Sequence, residues 1–156
     1  IALKTTRGEV FALTRGTLDG APIVGAGVQG ALTLTASTWR QMAGAPVVLT
    51  GVFALTNVGA APRTFRFGSS CVIELEVSTL AGTVVKRATQ EQACAAGTVE
   101  LTLAGGESRE LPVQVTLADS QGLPLVGQFT VVARLNVPRG QSTPTASAPV
   151  TVEAAP

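Results

Sequence analysis

Apolar and polar residues alternate along four separate segments of this chain, at 71–77, 98–103, 110–117 and 129–136. Successive side chains of a β-strand point to opposite faces of a sheet, so a period of two predicts strands with one face on a core. The predicted inward positions are Cys71, Ile73, Leu75 and Val77; Val99, Leu101 and Leu103; Leu111, Val113, Val115 and Leu117; and Phe129, Val131, Ala133 and Leu135. Since no window keeps a helical period, the pattern predicts an all-β protein.

Turn residues separate these segments at regular intervals. The separating tripeptides are Asn57-Val58-Gly59, Leu80-Ala81-Gly82, Gly105-Gly106-Glu107 and Ser120-Gln121-Gly122. Glycine reaches the positive φ that tight turns need, and short strands joined by such turns are typical of antiparallel sandwiches. We therefore predict an antiparallel immunoglobulin-like β-sandwich. Pro112 has no N–H for a ladder, which places its strand at a sheet edge or marks a bulge.

The two ends of the chain have weaker patterns. Glu9–Thr14 and Ala31–Ala36 are typical of strands, and the Gly- and Pro-rich stretch Gly16–Gly30 between them predicts a long loop. We expect one sandwich domain over residues 1–137. Residues 138–156 are rich in Pro, Ser and Thr and indicate a connector, in which Ala148–Glu153 could add a last edge strand.

Composition excludes several kinds of chemistry. The chain has no histidine, which is the usual acid–base group and the commonest metal ligand, so Ser-His-Asp and Cys-His catalysis cannot be assembled. Two cysteines are too few for a structural zinc site. We expect no catalytic residues, no metal and no cofactor. A metal-dependent redox protein on a sandwich fold is kept as a remote alternative.

Charge and hydropathy exclude two classes of partner. Charged residues make up 13% of the chain, the net charge is +1 and the basic residues are scattered, whereas a nucleic-acid-binding domain needs a basic stripe. The apolar runs are also shorter than the roughly 20 residues of a membrane span. We expect neither nucleic-acid binding nor a transmembrane segment.

The two cysteines, Cys71 and Cys94, are separated by 23 residues. A disulfide here would stabilise the fold by roughly 3 kcal/mol in the chain-entropy model, and such bonds persist in oxidising compartments. Two separate buried thiols are the alternative, but Cys94 lies in a polar, Ala/Gly-rich stretch where a thiol would be exposed. We predict the disulfide and an exported protein of the periplasm or cell envelope. The start at Ile1 fits a removed signal peptide or an artificial boundary equally well.

Three sets of side chains are candidates for contacts. Trp39 and Arg40, in the segment Trp39-Arg40-Gln41-Met42, could anchor an interface, since both residue types are enriched at hot spots, although a tryptophan that fills the core between sheets is the more common arrangement. A basic patch of Arg63, Arg66, Lys86 and Arg87 could bind an acidic partner or serve solubility alone. Glu74 and Glu76, with Glu100 nearby, could pair for hydrolysis or calcium binding, but a solvated strand face is the simpler interpretation.

From about Val47 to Val137 the order of motifs resembles the BsuPI family of intracellular proteinase inhibitors. A strand ends in Thr-Asn, an apolar strand carries a Ser/Gly pair, and a strand–Gly–strand hairpin, a Gly-Glu-Ser turn and a Gly-x-aromatic strand follow. These motifs stand at Thr56-Asn57, Phe65–Ser70, Ile73–Val77 with Gly82, Leu103–Ser108 and Gly127–Val131. Two positions differ: Val84-Val85-Lys86 occupies the place of the hairpin tryptophan, and Phe129 replaces a tyrosine.

The resemblance implies an immunoglobulin-like sandwich that binds a peptidase or another protein. Together with the predicted disulfide, it leads us to expect a non-enzymatic protein-interaction module of the bacterial cell envelope. A proteinase inhibitor of BsuPI type, binding through loops at one end, is the alternative. The expected partner is an envelope protein or a peptidase, and the oligomeric state stays open.

Overall fold

The computed structural model describes residues 27–87, 94–138 and 142–156. These residues form ten strands. They are β1 (Val28–Leu34), β2 (Thr38–Arg40), β3 (Val47–Asn57), β4 (Arg63–Ser69), β5 (Ile73–Thr79), β6 (Val84–Arg87), β7 (Ala96–Leu103), β8 (Ser108–Leu117), β9 (Gly127–Leu135) and β10 (Thr145–Glu153). The strand predicted at 9–14 lies outside the described residues.

The strands pair into two main sheets and one ribbon. One sheet has the order β1-β3-β8, the other β2-β10-β9-β5-β6, and β4 and β7 form a two-stranded ribbon. Every pairing is antiparallel except that of β2 with β10. The neighbours β1-β3-β8 and β5-β9-β10 correspond to the A-B-E and C-F-G groups of the immunoglobulin sandwich. The predicted fold class is therefore confirmed.

One hydrophobic core lies between the layers. The alternation seen in the sequence supplies its side chains. In the five-stranded sheet, for example, Leu75 and Val77 of β5 stand beside Ala133 and Val131 of the neighbouring β9, and all four are buried in this core. The ribbon adds a further set of buried side chains to this core. They are Phe65, Phe67, Leu101 and Leu103. Burial of such side chains contributes about 1.5–3 kcal/mol each, which makes the core the main source of stability.

The alternation overestimates the core at one position. Val99 was predicted to face inward with Leu101 and Leu103, but it is 36% exposed. It stands opposite Phe67, next to the register shift that ends the pairing of β4 with β7. The alternation in the sequence predicts which face of the sheet a side chain lies on. It does not predict whether the opposing layer extends far enough to cover that side chain.

Two boundaries differ from those predicted. β1 begins at Val28 and so includes the last residues of the expected loop 16–30. β10 lies between β9 and the short β2, and it is therefore an interior strand rather than an edge strand in the connector. Its Val150 and Val152 are 2% and 1% exposed, so this segment belongs to the core.

The edge position of Pro112 follows the prediction. Among the described strands, β8 pairs with β3 alone, and Pro112 stands opposite Val52 without a shift in register. An edge strand accommodates proline without a break in the ladder where the missing N–H would have pointed to the free side. No helix within the described residues is long and apolar enough to cross a membrane.

Candidate functional site

Three loops meet at one end of the sandwich, which we call the loop end: residues 41–46, 80–83 and 118–126. The strand registers place them together. β5 ends where β9 begins, with Thr79 opposite Phe129, and β3 begins where β8 ends, with Val47 opposite Leu117. β2 ends beside the end of β10, with Arg40 next to Glu153.

The first loop is a tight turn that presents Met42. The Ala45 N–H donates to the Met42 carbonyl oxygen at 2.8 Å, and Ala43 and Gly44 have φ of 48° and 77°. Two successive positive φ values define a type I′ turn, which joins strands with little freedom. Ala43 is the one non-glycine residue with positive φ among the described residues, and this conformation costs about 1–2 kcal/mol.

The other two loops are closed by glycines and side-chain oxygens. Gly82 and Gly122 have φ of 93° and 82°, which a side chain would strain. Asp119 Oδ1 accepts from the backbone N–H groups of Gln121 at 2.8 Å and Leu123 at 2.9 Å. An aspartate that satisfies its own turn in this way holds the loop in one conformation.

Large apolar side chains are exposed mainly at this end. Of the eight found on the described part of the chain, four lie in the three loops and two in the first two residues of the adjoining strands β3 and β6. These six are Met42, Leu80, Leu123, Val126, Val48 and Val84. Sequence reasoning included Met42 in the segment around Trp39 but missed the other five, although a large apolar residue inside a Gly-containing turn was a signal that could have found Leu80.

Trp39 and Arg40 both make polar contacts within the chain. Trp39 is half-buried against the core and donates its indole N–H to the Ala36 carbonyl oxygen at 2.9 Å. Arg40 is exposed and forms a 2.7 Å ion pair with Glu153. The structure thus places Trp39 against the core, and Met42, two residues beyond Arg40, is the exposed apolar side chain of this segment.

The predicted basic patch is divided between different sheets. Arg66 of β4 pairs with Glu100 of β7 at 2.7 Å, and the Arg63 guanidinium lies 5.6 Å from the centre of the Phe65 ring. Lys86 and Arg87 belong to β6, on the far edge of the five-stranded sheet. These four side chains do not form one patch on a single sheet.

The carboxylates of β5 are matched by arginines. Arg87 approaches Glu76 at 3.1 Å and Glu74 at 3.6 Å, and Arg134 approaches Glu74 at 3.3 Å and Glu76 at 3.7 Å. Two positive and two negative groups therefore share one half-buried cluster. Glu100, which was expected nearby, lies instead on the ribbon with Arg66.

The predicted disulfide joins Cys71 and Cys94, with Cα atoms 5.4 Å apart. It ties the crossing from β4 to β5 to the residues before β7. Two hydrogen bonds continue this tie, since the Ser70 N–H donates to Ala95 and the Ala95 N–H donates to Ser70 Oγ, each at 3.0 Å. Cys71 also lines a cavity of about 270 Å³ between residues 70–73 and 111–114.

The opposite end is organised by one buried asparagine, and we call it the Asn57 corner: Gly27, residues 57–62 and residues 104–107. Asn57 is fully buried. Its Nδ2 donates to the carbonyl oxygens of Ala61 at 2.8 Å and Leu103 at 3.1 Å, and its Oδ1 accepts from the Gly59 N–H at 3.0 Å. A buried amide must be satisfied in this way, so Asn57 fixes the loop between β3 and β4 against the end of β7.

The Gly-Glu-Ser turn completes the same corner. The Asn57 N–H donates to the Glu107 carbonyl oxygen at 2.9 Å, and the Gly106 N–H donates to the Asn57 carbonyl oxygen at 2.7 Å. Hydrogen bonds from Arg109 and from the Ala104 N–H hold the pKa of the Glu107 carboxyl below its ordinary value. Two motifs that are 50 residues apart in the chain thus build one structural unit, and their role is to close the sandwich.

Fold and site together define a class: an immunoglobulin-like β-sandwich domain, closed by a disulfide and an asparagine-centred corner, that presents short turns at its other end. Residues 36–140 match the family model described as BsuPI, intracellular proteinase inhibitor, and the chain belongs to this family. The match extends beyond the 47–137 segment that the motifs indicated. None of the curated proteins compared with the chain matches it.

Two solved structures are similar to the chain at low identity. Spo0M, a sporulation control protein from Bacillus subtilis, is 18% identical with a TM-score of 0.50, and the match covers 83% of this chain and 50% of that protein. A β-glucosidase from Erythrobacter marinus is 13% identical with a TM-score of 0.47, over 80% of this chain and 15% of the enzyme. The chain thus spans half of the length of Spo0M and a small part of the glucosidase, and at 18% identity the likeness to Spo0M concerns the fold alone.

Proposed function

We propose that this chain is a non-enzymatic binding domain that inhibits a peptidase. The observation that carries the proposal is the match of residues 36–140 to a family of proteinase inhibitors. The geometry supports it, because an inhibitor needs a rigid scaffold with preformed turns. Binding then costs little conformational entropy, and more of the contact energy appears as affinity.

An inhibition assay tests this function directly. The purified chain is mixed at equimolar and tenfold excess with peptidases of the serine, cysteine, aspartic and metallo classes, and residual activity is measured alongside complex formation by size-exclusion chromatography. We expect one peptidase class to lose activity at stoichiometric dose and to co-elute with the chain. Heat-unfolded chain is the control, because an unfolded chain could slow a peptidase simply by being cleaved as a competing substrate. Full activity of every class at tenfold excess, with no complex, would contradict the proposal.

The disulfide favours a location for this activity. Such bonds persist in oxidising compartments, so we propose an exported domain in the periplasm or cell envelope, although the family description says intracellular. The corresponding partner is an exported peptidase or another envelope protein. Alkylation of thiols in intact cells before lysis, followed by mass spectrometry, measures the redox state of the two cysteines. Full alkylation of both would place the protein in a reducing compartment instead.

A binding module without inhibitory activity is the second candidate. Pull-down from envelope extract separates the two, because a stable envelope protein that is not a peptidase would support this second function. A captured peptidase that retains its activity in the complex would also support a binding module without inhibitory activity.

A further inference from the structure

Exposed apolar side chains are concentrated at the loop end. Met42 is 73% exposed, Leu80 68%, Leu123 58% and Val126 47%. Single exposed apolar residues are ordinary, but these four, which we call the apolar cluster, come from three separate loops at one end, and such a concentration is typical of an interaction site. Among the described residues the opposite end shows one comparable side chain, Val58, which is 56% exposed.

The charges near this cluster are already engaged within the chain. Arg40 and Glu153 form their own 2.7 Å pair. Asp119 turns Oδ1 toward two backbone N–H groups of its own turn. The described residues of the three loops carry no further charged side chain. Complementarity therefore favours an uncharged apolar surface on the partner over a charged one.

The backbone beneath the cluster is held in place. The Met42 turn is closed by the hydrogen bond from Ala45, and Ala43 keeps a left-handed conformation that an unconstrained chain would leave. Strain of this kind persists where the surrounding structure imposes it, and such positions concentrate at binding sites. Met42 itself adds a flexible thioether side chain, which adapts to an apolar pocket on a partner.

We propose that the loop end is the docking surface, and that it binds an uncharged apolar patch on the peptidase, with Met42 and Leu123 as anchors. This inference rests on the proposed function, which supplies the partner. It adds the surface and its chemistry, and it assigns no contact to the basic side chains of β4 and β6.

Charge substitution at the loop end tests the surface. Met42→Asp and Leu123→Asp are compared with Val58→Asp, a matched change at a similarly exposed valine of the Asn57 corner. The dissociation constant for the inhibited peptidase is measured by calorimetry. We expect each loop-end variant to bind at least about 30-fold more weakly, which at 1.4 kcal/mol per tenfold is the 2 kcal/mol of a hot spot. Val58→Asp should stay within about threefold of wild type.

Every other outcome overturns part of the proposal. Loop-end variants that bind like wild type, with Val58→Asp weakened, would refute the surface but leave the inhibitor function standing. A wild-type chain that binds no peptidase would refute both.

Thermal unfolding and light scattering distinguish two further occupants of the loop end, another segment of the chain and a second copy. A Met42→Asp variant whose Tm falls by much more than about 2 °C would show that the chain covers this end itself, because surface changes are nearly neutral. A wild-type dimer that this variant dissociates would identify a second copy.

Discussion

Replacing Asn57 by alanine should remove more stability than its small side chain suggests. The change deletes an amide that is fully buried and that makes three hydrogen bonds to the backbone, with Ala61, Leu103 and Gly59. All three backbone groups lose their partner in the variant. The bond to Leu103 is buried, so its carbonyl oxygen cannot turn to water without rearrangement of the loop, whereas the bonds to Ala61 and Gly59 lie in a half-buried site.

The magnitude follows from these three contacts. A net contribution of about 0.5–1.5 kcal/mol per hydrogen bond gives a loss of about 2–4 kcal/mol for Asn57→Ala. The free energy of unfolding of a native domain is about 5–15 kcal/mol, so the variant loses a large share of its stability. At about 2–4 °C per kcal/mol the Tm should fall by roughly 5–15 °C.

Urea unfolding followed by fluorescence of the single tryptophan measures the loss. The control is Asn136→Ala, which deletes the 3.0 Å hydrogen bond from Asn136 to the Cys71 carbonyl oxygen at an exposed position. We expect a loss of about 1 kcal/mol or less for the control. The slope m should be unchanged in both variants, since the same surface is exposed on unfolding.

A loss below about 1 kcal/mol for Asn57→Ala, equal to that of the control, would refute the reasoning. It would mean that the corner closes by the turn bonds alone, or that a water molecule replaces the amide. A crystal structure of the variant would separate these two explanations.

Three further predictions concern the ends of the sandwich. Reduction of the disulfide should cost about 3 kcal/mol for its 23-residue separation, and alkylation of the native protein that finds two free thiols would contradict the bond itself. Glu107 has a pKa below the ordinary value of 4.5 in the folded chain, so its contribution to stability is present above that value and is lost as the pH falls through the lower folded pKa. Arg109→Gln should move this pKa upward in a carboxyl NMR titration, and an unchanged pKa would show that the backbone bond alone sets it. Gly105→Ala should destabilise the corner by about 1–3 kcal/mol, because its Cβ would collide with the carbonyl of Ala60, whereas Gly68→Ala meets open space and should be near neutral in urea unfolding.

Local patterns were sufficient for the strands and for the covalent link. The period of two at 71–77, 110–117 and 129–136 predicted β5, β8 and β9, because the pleat alone assigns successive side chains to opposite faces. Pro112 predicted an edge for the same local reason, the missing N–H. The disulfide was predicted because a free thiol at Cys94 would be exposed in its polar, Ala/Gly-rich stretch, and one other cysteine exists to pair with it.

The candidate site could not be predicted in the same way. Met42, Leu80 and Leu123 lie in three turns far apart in the sequence, and only the strand registers bring those turns to one end. The basic side chains Arg66 and Arg87 fall on different sheets for the same reason, because strand pairing and not sequence order sets which side chains are neighbours.

By itself the sequence determined the all-β class, the positions of most strands, the cysteine pair and the absence of histidine-based chemistry. Each depends on residue type or on neighbours within a few positions. Only the tertiary structure decided that β10 is an interior strand, that Val99 lies beyond the core, that Glu74 meets Arg134, and that most of the exposed large apolar side chains share one end. Those features depend on which strands pair and in what register, and this is settled by the packing of the whole core rather than by any single segment.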